Sequence, residues 1–450
     1  MKTLGAAVGT DPARVWLAYA VLTARLPRED DIVALVRKAK LDGAEVALKE
    51  IVSRASRAAR FTISPPSVEV VRGSVIVDVH HTARTRLATG IQRVVRQTIA
   101  EWATSRTITL IGWNSTYDAT RLLTEDERSN ALYGNRPDAK FAQGTVTIPW
   151  ECDYILPELA TEPERTARLQ AMARFSGNRL HMVGHDCVPI STAETVGPGM
   201  GGAFAKNLAA ARHASSIATT SMASSAEYQG WRSMLSAIGV PGPRIQEVQL
   251  PAEAGESDPI TAGAAADIFD AERPLVLCVG SHEPRKNHMA LLYAFEVLWR
   301  EGHEFNALFV GGNSWNSGGF EHEFTRMVKA GRPLHAAKGM SDDTLWAMYR
   351  DAVATVFPSV NEGFGLPVAE SLAVGTPALT SNFGSMREIA QSGGAVLVDP
   401  RDDDAIVDGL RRLLTDDAFR AQLEAQATAR SPRLWKQYAA ELWESFFPED

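Results

Sequence analysis

The sequence predicts an α/β protein built from two sheet-bearing units with a small helical module in front, and three observations predict it. Short apolar runs are followed by a turn and then by helical periodicity: Leu275-Val276-Leu277-Cys278-Val279 leads through Gly280 to Leu291, Leu292, Phe295 and Leu298. Val75 to Val79 leads through Gly90 to Val94, Val95, Ile99 and Trp102 in the same way. Between these two patterns, Ala252 through Asp270 is rich in Ala, Gly, Ser and acids, the composition of a linker between domains. Ahead of both, the first 60 residues show helical spacing only.

The composition agrees. A chain of 450 residues with 45% hydrophobic residues and 34 Gly can bury two cores and still supply many turns. The net charge of -8 disfavours a general nucleic-acid binder. Cys152, Cys187 and Cys278 lie far apart in apolar surroundings, which points to buried thiols of a reducing compartment and to neither a disulfide framework nor a metal site. The N-terminus meets Asp11 and Arg14 before any long apolar core, against a secretory signal, and no apolar run reaches 18 residues, against a membrane-spanning helix. A cytoplasmic location is therefore the expectation.

Taken in order, residues 1–61 carry 11 Lys and Arg against 7 Asp and Glu within the first 60, and three apolar stripes: Trp16, Leu17, Ala20, Val21, Ala24; Ile32, Leu35, Val36, Ala39; Val46, Leu48, Ile51, Val52. About three helices are expected, docked on the first sheet-bearing unit or offered to an acceptor, a partner protein or a membrane surface. Thr62 to Val71, with Pro65-Pro66, is a linker or edge strand. Strands are expected at Val75 to Val79, Ile108 to Ile111, Val146 to Pro149, Leu180 to Val183 and Val248 to Pro251, with Pro149 to Leu156 as an insertion near a cleft. His185 stands at a strand end, with Asp186 as its orienting partner or a helix cap. In the second unit, strands are expected at Leu275 to Val279, Phe305 to Val310 and Val353 to Phe357. Asp402 is placed as a helix cap ahead of Ile406, Val407 and Leu410.

The stretch VFPSVNEGFGLPVAESLAVGTP, Val356 to Pro377, reads as strand, glycine turn and helix, with Glu362 in the turn and Glu370 in the helix, eight residues apart and able to face one cleft. NEGFGLPVAE resembles the glutamate pair of the retaining glycosyltransferases of the two-Rossmann type (the GT-B fold), family 4 or group 1 of these enzymes, and the segments ESLAVGTPALTSNFGSMREIA and GGAVLVDP continue the resemblance. It is close from about Leu275 to Pro400 and looser before.

The resemblance implies a GT-B fold: two Rossmann-like domains facing a cleft, with 1–61 as a helical extension, 69–255 the acceptor-side domain, 272–430 the nucleotide-sugar domain, and 431–450 a helix crossing back to the first domain. It also implies roles. Glu362 meets donor-sugar hydroxyls and Glu370 the ribose, while Lys286 and Arg285 of Gly280-Ser281-His282-Glu283-Pro284-Arg285-Lys286-Asn287 take the phosphates. Ser281 stands where many relatives carry arginine. Asn361, Gly363, Phe364, Gly365 and Leu366 line phosphate and sugar, Met340 the base, and His185 the transferred sugar. Arg84, Thr89, Gly90 and Asp186, with Arg86, fall on the acceptor side. The expected reaction moves a hexosyl or deoxyhexosyl residue, mannosyl ahead of others, from a GDP-sugar ahead of a UDP- or dTDP-sugar, to a growing polysaccharide or lipid-diphosphate-linked glycan. No metal and no further cofactor are implied, because cationic side chains and helix N-termini can hold a diphosphate. A nucleotide-sugar 2-epimerase, a synthase or phosphorolytic enzyme using small acceptors, and a non-catalytic scaffold in a glycan-assembly complex are the alternatives.

Overall fold

The structure is a computed structural model, describing residues 2–59, 66–85, 89–135, 144–255, 270 and 272–448. The expectations for Thr62, Pro65, Arg86 and most of the Ala252-to-Asp270 linker lie outside the described residues. No described helix is long and apolar enough to cross a membrane.

Two sheets organise the chain. The first has nine strands in the order β1-β5-β4-β3-β2-β6-β7-β8-β9: β1 Val68–Arg72, β2 Val75–Asp78, β3 Thr109–Trp113, β4 Thr120–Leu122, β5 Val146–Trp150, β6 Asp153–Leu156, β7 Arg179–Gly184, β8 Ser216–Thr219 and β9 Arg244–Glu247. All pairs are parallel except those of β4 with β3 and β5. The second sheet is wholly parallel, with order β12-β11-β10-β13-β14-β15: β10 Leu275–Val279, β11 Asn306–Val310, β12 Leu334–Ala337, β13 Ala352–Phe357, β14 Ala378–Ser381 and β15 Ala395–Val398. Counted from its first strand that order is 3-2-1-4-5-6, the doubly wound arrangement, whose chain direction reverses between β10 and β13. Ligands bind outside the carboxyl ends of the strands at such a reversal, so the loops after Val279 and Phe357 flank the expected crevice. The first sheet reverses between β2 and β6, opposite it.

Several expectations change. The described residues of the amino-terminal module form four helices, Lys2–Val8, Pro12–Thr23, Glu29–Asp42 and Ala44–Ala59; the first is too short and too rich in small residues to show a stripe. Ala47, Leu48 and Ile51 form the buried face of the last, whereas Val46 and Val52 are exposed. The module shares one apolar core with the first sheet: Trp16 stacks on Trp150 with ring centroids 6.2 Å apart. Leu26 seals the joint from both sides, its N–H donating to the Asp118 carbonyl at 2.7 Å and its carbonyl accepting from Arg168 Nε at 3.0 Å. Asp153 to Leu156 is an interior strand, and no insertion. The last strand of the first sheet is Arg244–Glu247, a polar edge; Val248 and Leu250 lie beyond it in a core that joins the two domains. His80–Arg84, between the Val75–Asp78 strand and Gly90, is a short helix.

The two domains are closed on each other. One apolar cluster combines Val77, Val94 and Val95 of the first with Phe357, Phe364 and Val368 of the second. The Trp435–Phe446 helix lies on the Gly90–Ser105 helix, with Trp102 Nε1 donating to the Ala439 carbonyl at 2.8 Å and Trp443 edge-on to Trp102.

Candidate active site

The loop after β10 carries Gly280 at φ 148° and makes a single turn, Pro284–Lys286, that ends at Asn287 in the left-handed region, φ 58°. An L-residue pays for that conformation, and asparagine tolerates it better than most. Here its side chain also donates to the Pro400 carbonyl at 2.7 Å. The turn aims Arg285 and Lys286 at the loop after β13. Lys286 Nζ lies 2.6 Å from Glu362 Oε1 and 4.8 Å from the Phe357 ring centroid; Arg285 Nη1 lies 2.5 Å from Glu362 Oε2, and its Nη2 2.7 Å from Glu283 Oε1. Ser359 Oγ adds a bond to Glu362 Oε1 at 2.5 Å. Arg285 and Lys286 hold the Glu362 carboxyl down to about 2 against a desolvation that opposes them. Burial, with Arg285 beside it, lowers Lys286 from the ordinary lysine range, and Glu362 offsets part of this.

From the opposite domain, Asp186 reaches the same cluster. Its carboxyl is raised to about 6, by burial first; Arg285 pulls the other way and Glu362 adds to the rise. Asp186 Oδ1 accepts from the Val188 N–H at 3.2 Å, just ahead of the Val188–Ser191 turn whose N-cap is Cys187. His185 turns elsewhere, Nε2 against the Pro157 carbonyl at 2.9 Å, which makes Nε2 the protonated nitrogen; burial lowers its pKa.

Gly363 is where the domains touch. A Cβ added there would collide with the His185 carbonyl and come within 3.1 Å of Asp186 Oδ2, so glycine is required for the approach. Its own carbonyl accepts from Ser221 Oγ at 2.7 Å, Ser224 Oγ at 2.9 Å and Thr220 Oγ1 at 3.3 Å. Glu388 reaches back across the cleft to accept from the N–H groups of Met222, 3.0 Å, and Ala223, 2.6 Å, at the start of the Met222–Ala237 helix. Asn361 Nδ2 donates to Ser191 Oγ at 3.1 Å.

A second group lies along the Leu366–Ala373 helix, which begins after Gly365 at φ 109°. Glu370 is 5% exposed; Tyr349 donates its hydroxyl to Oε2 at 2.8 Å and Arg93, from the first domain, bonds Oε1. Burial raises the Glu370 carboxyl while Arg93 and Tyr349 counter it. Met340 packs against the apolar cluster that includes Trp346 and Tyr349. Gly90 and Leu366 are also brought together: a Cβ on Gly90 would lie 3.4 Å from Leu366 Cδ1. Thr89 bonds Gln92 at the start of the same helix.

Two expectations separate from the cleft cluster. Arg84 lies 3.4 Å from Glu127 Oε1, in a buried pairing that Arg121 closes at 2.6 Å and 2.7 Å. Ser281 contributes its carbonyl to the turn, accepting from Glu283 N–H at 3.0 Å. The residues that sequence reasoning missed are Arg93, Tyr349, Ser359, Glu388 and the Thr220-Ser221-Ser224 hydroxyls. All but Ser359 act from at least 20 positions away in the chain, where no local pattern points to them. Among the described residues no group of three or more His, Cys, Asp or Glu is arranged to hold a metal ion.

The chain is similar to known proteins in sequence and in fold. Residues 265–430 match the family model described as glycosyl transferases group 1. The serotype-specific mannosyltransferase WbdA of Escherichia coli is 27% identical over 331 residues, 70% of this chain and 40% of WbdA, so the chain spans about two fifths of that relative. The O-antigen chain mannosyltransferase B of Escherichia coli is 34% identical over 170 residues, 38% of this chain and 42% of that protein. Among solved structures, Anabaena HepE in complex with UDP and glucose superposes with a TM-score of 0.60 at 10% identity, over 84% of this chain and all of HepE. The sucrose-phosphate synthase of Thermosynechococcus elongatus gives 0.54 at 16% identity, over 83% of this chain and 96% of its own. These likenesses show the fold, two Rossmann-like domains of the GT-B kind. The likeness to the glycosyl transferases group 1 family is carried by residues 265–430, the second sheet-bearing domain.

Proposed function

We propose that the chain transfers a hexosyl residue, mannosyl first among candidates, from a nucleotide-sugar to a growing glycan with retention of anomeric configuration, as family 4 members do. The observation that carries this reading is Glu362 held between Lys286 and Arg285 at the reversal point of the second sheet. A sugar diphosphate bound there would put phosphate oxygens at the two cations and sugar hydroxyls at Glu362, with Glu370 taking the ribose. The acceptor oxygen would bond to the anomeric carbon as the bond from that carbon to the phosphate oxygen breaks. The electron pair leaves with the nucleoside diphosphate, and the acceptor proton passes to a departing phosphate oxygen. Fixed cations stabilise that developing charge without reorganising. The names of the relatives support mannose, a GDP-sugar is the donor the sequence resemblance puts first, and the UDP bound by HepE keeps UDP-sugars in the test. The division at 1–61, 69–255, 272–430 and 431–450 belongs to this reading, as does work in the cytoplasm on a polysaccharide or lipid-diphosphate-linked acceptor. The described amino-terminal helices share one core with the first sheet, which supports a docked role for the module.

The test is a panel of GDP-, UDP- and dTDP-sugars incubated with the purified chain and glycan acceptors. Sugar transfer is expected from one donor; epimerised donor without acceptor, or tight donor binding with no turnover on any acceptor, would overturn it. Lys286→Ala is expected to weaken nucleoside diphosphate binding and His185→Ala to spare it while slowing transfer; the opposite pairing in calorimetry would remove both roles.

A further inference from the structure

Among the described residues, Arg93 is the one side chain of the first domain seen bonding the carboxylate of the proposed ribose subsite. It stands in the first turn of the Gly90–Ser105 helix, and its guanidinium makes three contacts across the cleft: with Glu370 Oε1, with Asp342 Oδ2 at 3.5 Å, and over the Trp346 ring at 5.8 Å from its centroid. The other oxygen of Glu370 takes the Tyr349 hydroxyl at 2.8 Å. Both oxygens of this carboxylate therefore already have a donor.

The two donors differ in how they can leave. Tyr349 is wholly buried, belongs to the same domain as Glu370 and is packed in its core, so it moves with the carboxylate. Arg93 comes from the other domain on a long side chain that keeps 22% of its surface exposed. Any motion that opens the cleft withdraws it. A guanidinium edge and a vicinal diol are also alternative ligands for one carboxylate: each offers paired donors, and each can satisfy an acceptor that would otherwise be buried and unpaired.

We infer that Arg93 plugs the ribose subsite: its guanidinium holds the Glu370 carboxylate until the diol of a ribonucleotide replaces it. The inference rests on the donor reading of Glu370 given above. It adds that donor entry breaks a bond between the domains, so affinity for the nucleotide and closure of the cleft oppose each other through this side chain.

Calorimetry on the full chain tests it with GDP, UDP and the dideoxy counterpart of each, which lack the diol, for the wild type, Arg93→Gln and Arg93→Lys. Removing the plug is expected to tighten the ribonucleotide that the wild type binds by about three- to tenfold and to leave its dideoxy counterpart within about twofold. The Lys variant, which keeps the charge on a single donor head, is expected to show a smaller gain of the same selectivity, and it carries the test if the Gln variant does not fold. Weaker or unchanged ribonucleotide binding overturns the inference, since Arg93 would then be a donor ligand or a bystander. An equal gain for the dideoxy compound overturns it too, because the effect would come from loosened domains and not from competition for Glu370. If the wild type binds neither GDP nor UDP, the donor reading falls and takes this inference with it; if it binds one and Arg93 makes no difference, only this inference falls.

Discussion

Two buried charge clusters, one inside the first domain and one at the cleft between the domains, are built from the same kinds of side chain. In the first domain Arg165 is wholly buried between Asp78 Oδ1 at 2.9 Å and Glu158 Oε1 at 2.8 Å. The other oxygen of Asp78 accepts from Trp113 Nε1 and Tyr154 OH, both at 2.7 Å, and Glu158 also accepts from the backbone N–H groups of His81 and Thr82. Every member belongs to one domain, and the carboxylates are saturated. In the cleft, Glu362, Arg285, Lys286 and Glu283 meet Asp186 from the opposite side, and opening the cleft separates them. The first cluster lies within one fold; the second is completed across two. Burial of charge alone does not mark a functional site; what sets the cleft cluster apart is that it lies where two domains meet.

Substitutions should divide along that line. Arg165→Met leaves Asp78 and Glu158 buried without their cation and is expected to cost about 3–5 kcal/mol of stability, the range for a broken buried pair. Chemical denaturation measures it, and a loss under about 1 kcal/mol would make the cluster dispensable. Glu362→Gln is expected to lower turnover by roughly 10- to 1,000-fold, about 1.4–4 kcal/mol in the transition state. Equal rates at saturating donor would remove Glu362 from the chemistry.

A smaller effect distinguishes Asp186. Its folded carboxyl titrates near 6 against an ordinary 3.8, so the folded protein keeps a proton that the unfolded chain releases, and stability falls as pH climbs through about 4 to 6. Asp186→Asn cannot titrate. The stability of the wild type relative to that variant is therefore expected to decline by on the order of 1–3 kcal/mol between about pH 4 and pH 7; a difference independent of pH would show that Asp186 is not shielded from water. Smallest of all is Arg28→Ala, which removes a pair with Glu164 whose side chains are 51% and 43% exposed. It should cost under about 1 kcal/mol, because water already solvates both charges. A larger loss in thermal unfolding would mean that the amino-terminal module is held by ions more than by Trp16 and its core.

Legibility in the sequence tracks the range of the interactions. Glu362 with its glycine turn, and Lys286 with Arg285, sit in local patterns that the backbone itself requires, so they stand out as motifs. The strand β10 reads as central because all five of its residues are apolar. Arg93 and Glu370 are 277 positions apart, and Arg165 and Asp78 are 87 apart; only the packing of whole domains joins them. The edge strand Arg244–Glu247 is hidden by the same logic in reverse, since solvent on its outer side leaves it polar while the apolar Val248 and Leu250 beside it answer to the other domain. Lys2–Val8 shows no stripe because small residues serve where it meets its neighbour: a Cβ on Gly5 would come within 3.3 Å of the Glu45 backbone.

Gly363 has a mechanical meaning. With the hydrogen of glycine in place of a side chain, the loop after β13 and the His185 strand end can meet backbone to backbone, and the hydroxyls of Thr220, Ser221 and Ser224 grip the Gly363 carbonyl. The joint thus works as a latch whose bolt has no thickness to spare: one methyl group on it becomes a doorstop. Any such doorstop would hold the halves apart while leaving each half intact. Assembly of the two faces would then fail at a point where neither fold has anything wrong with it.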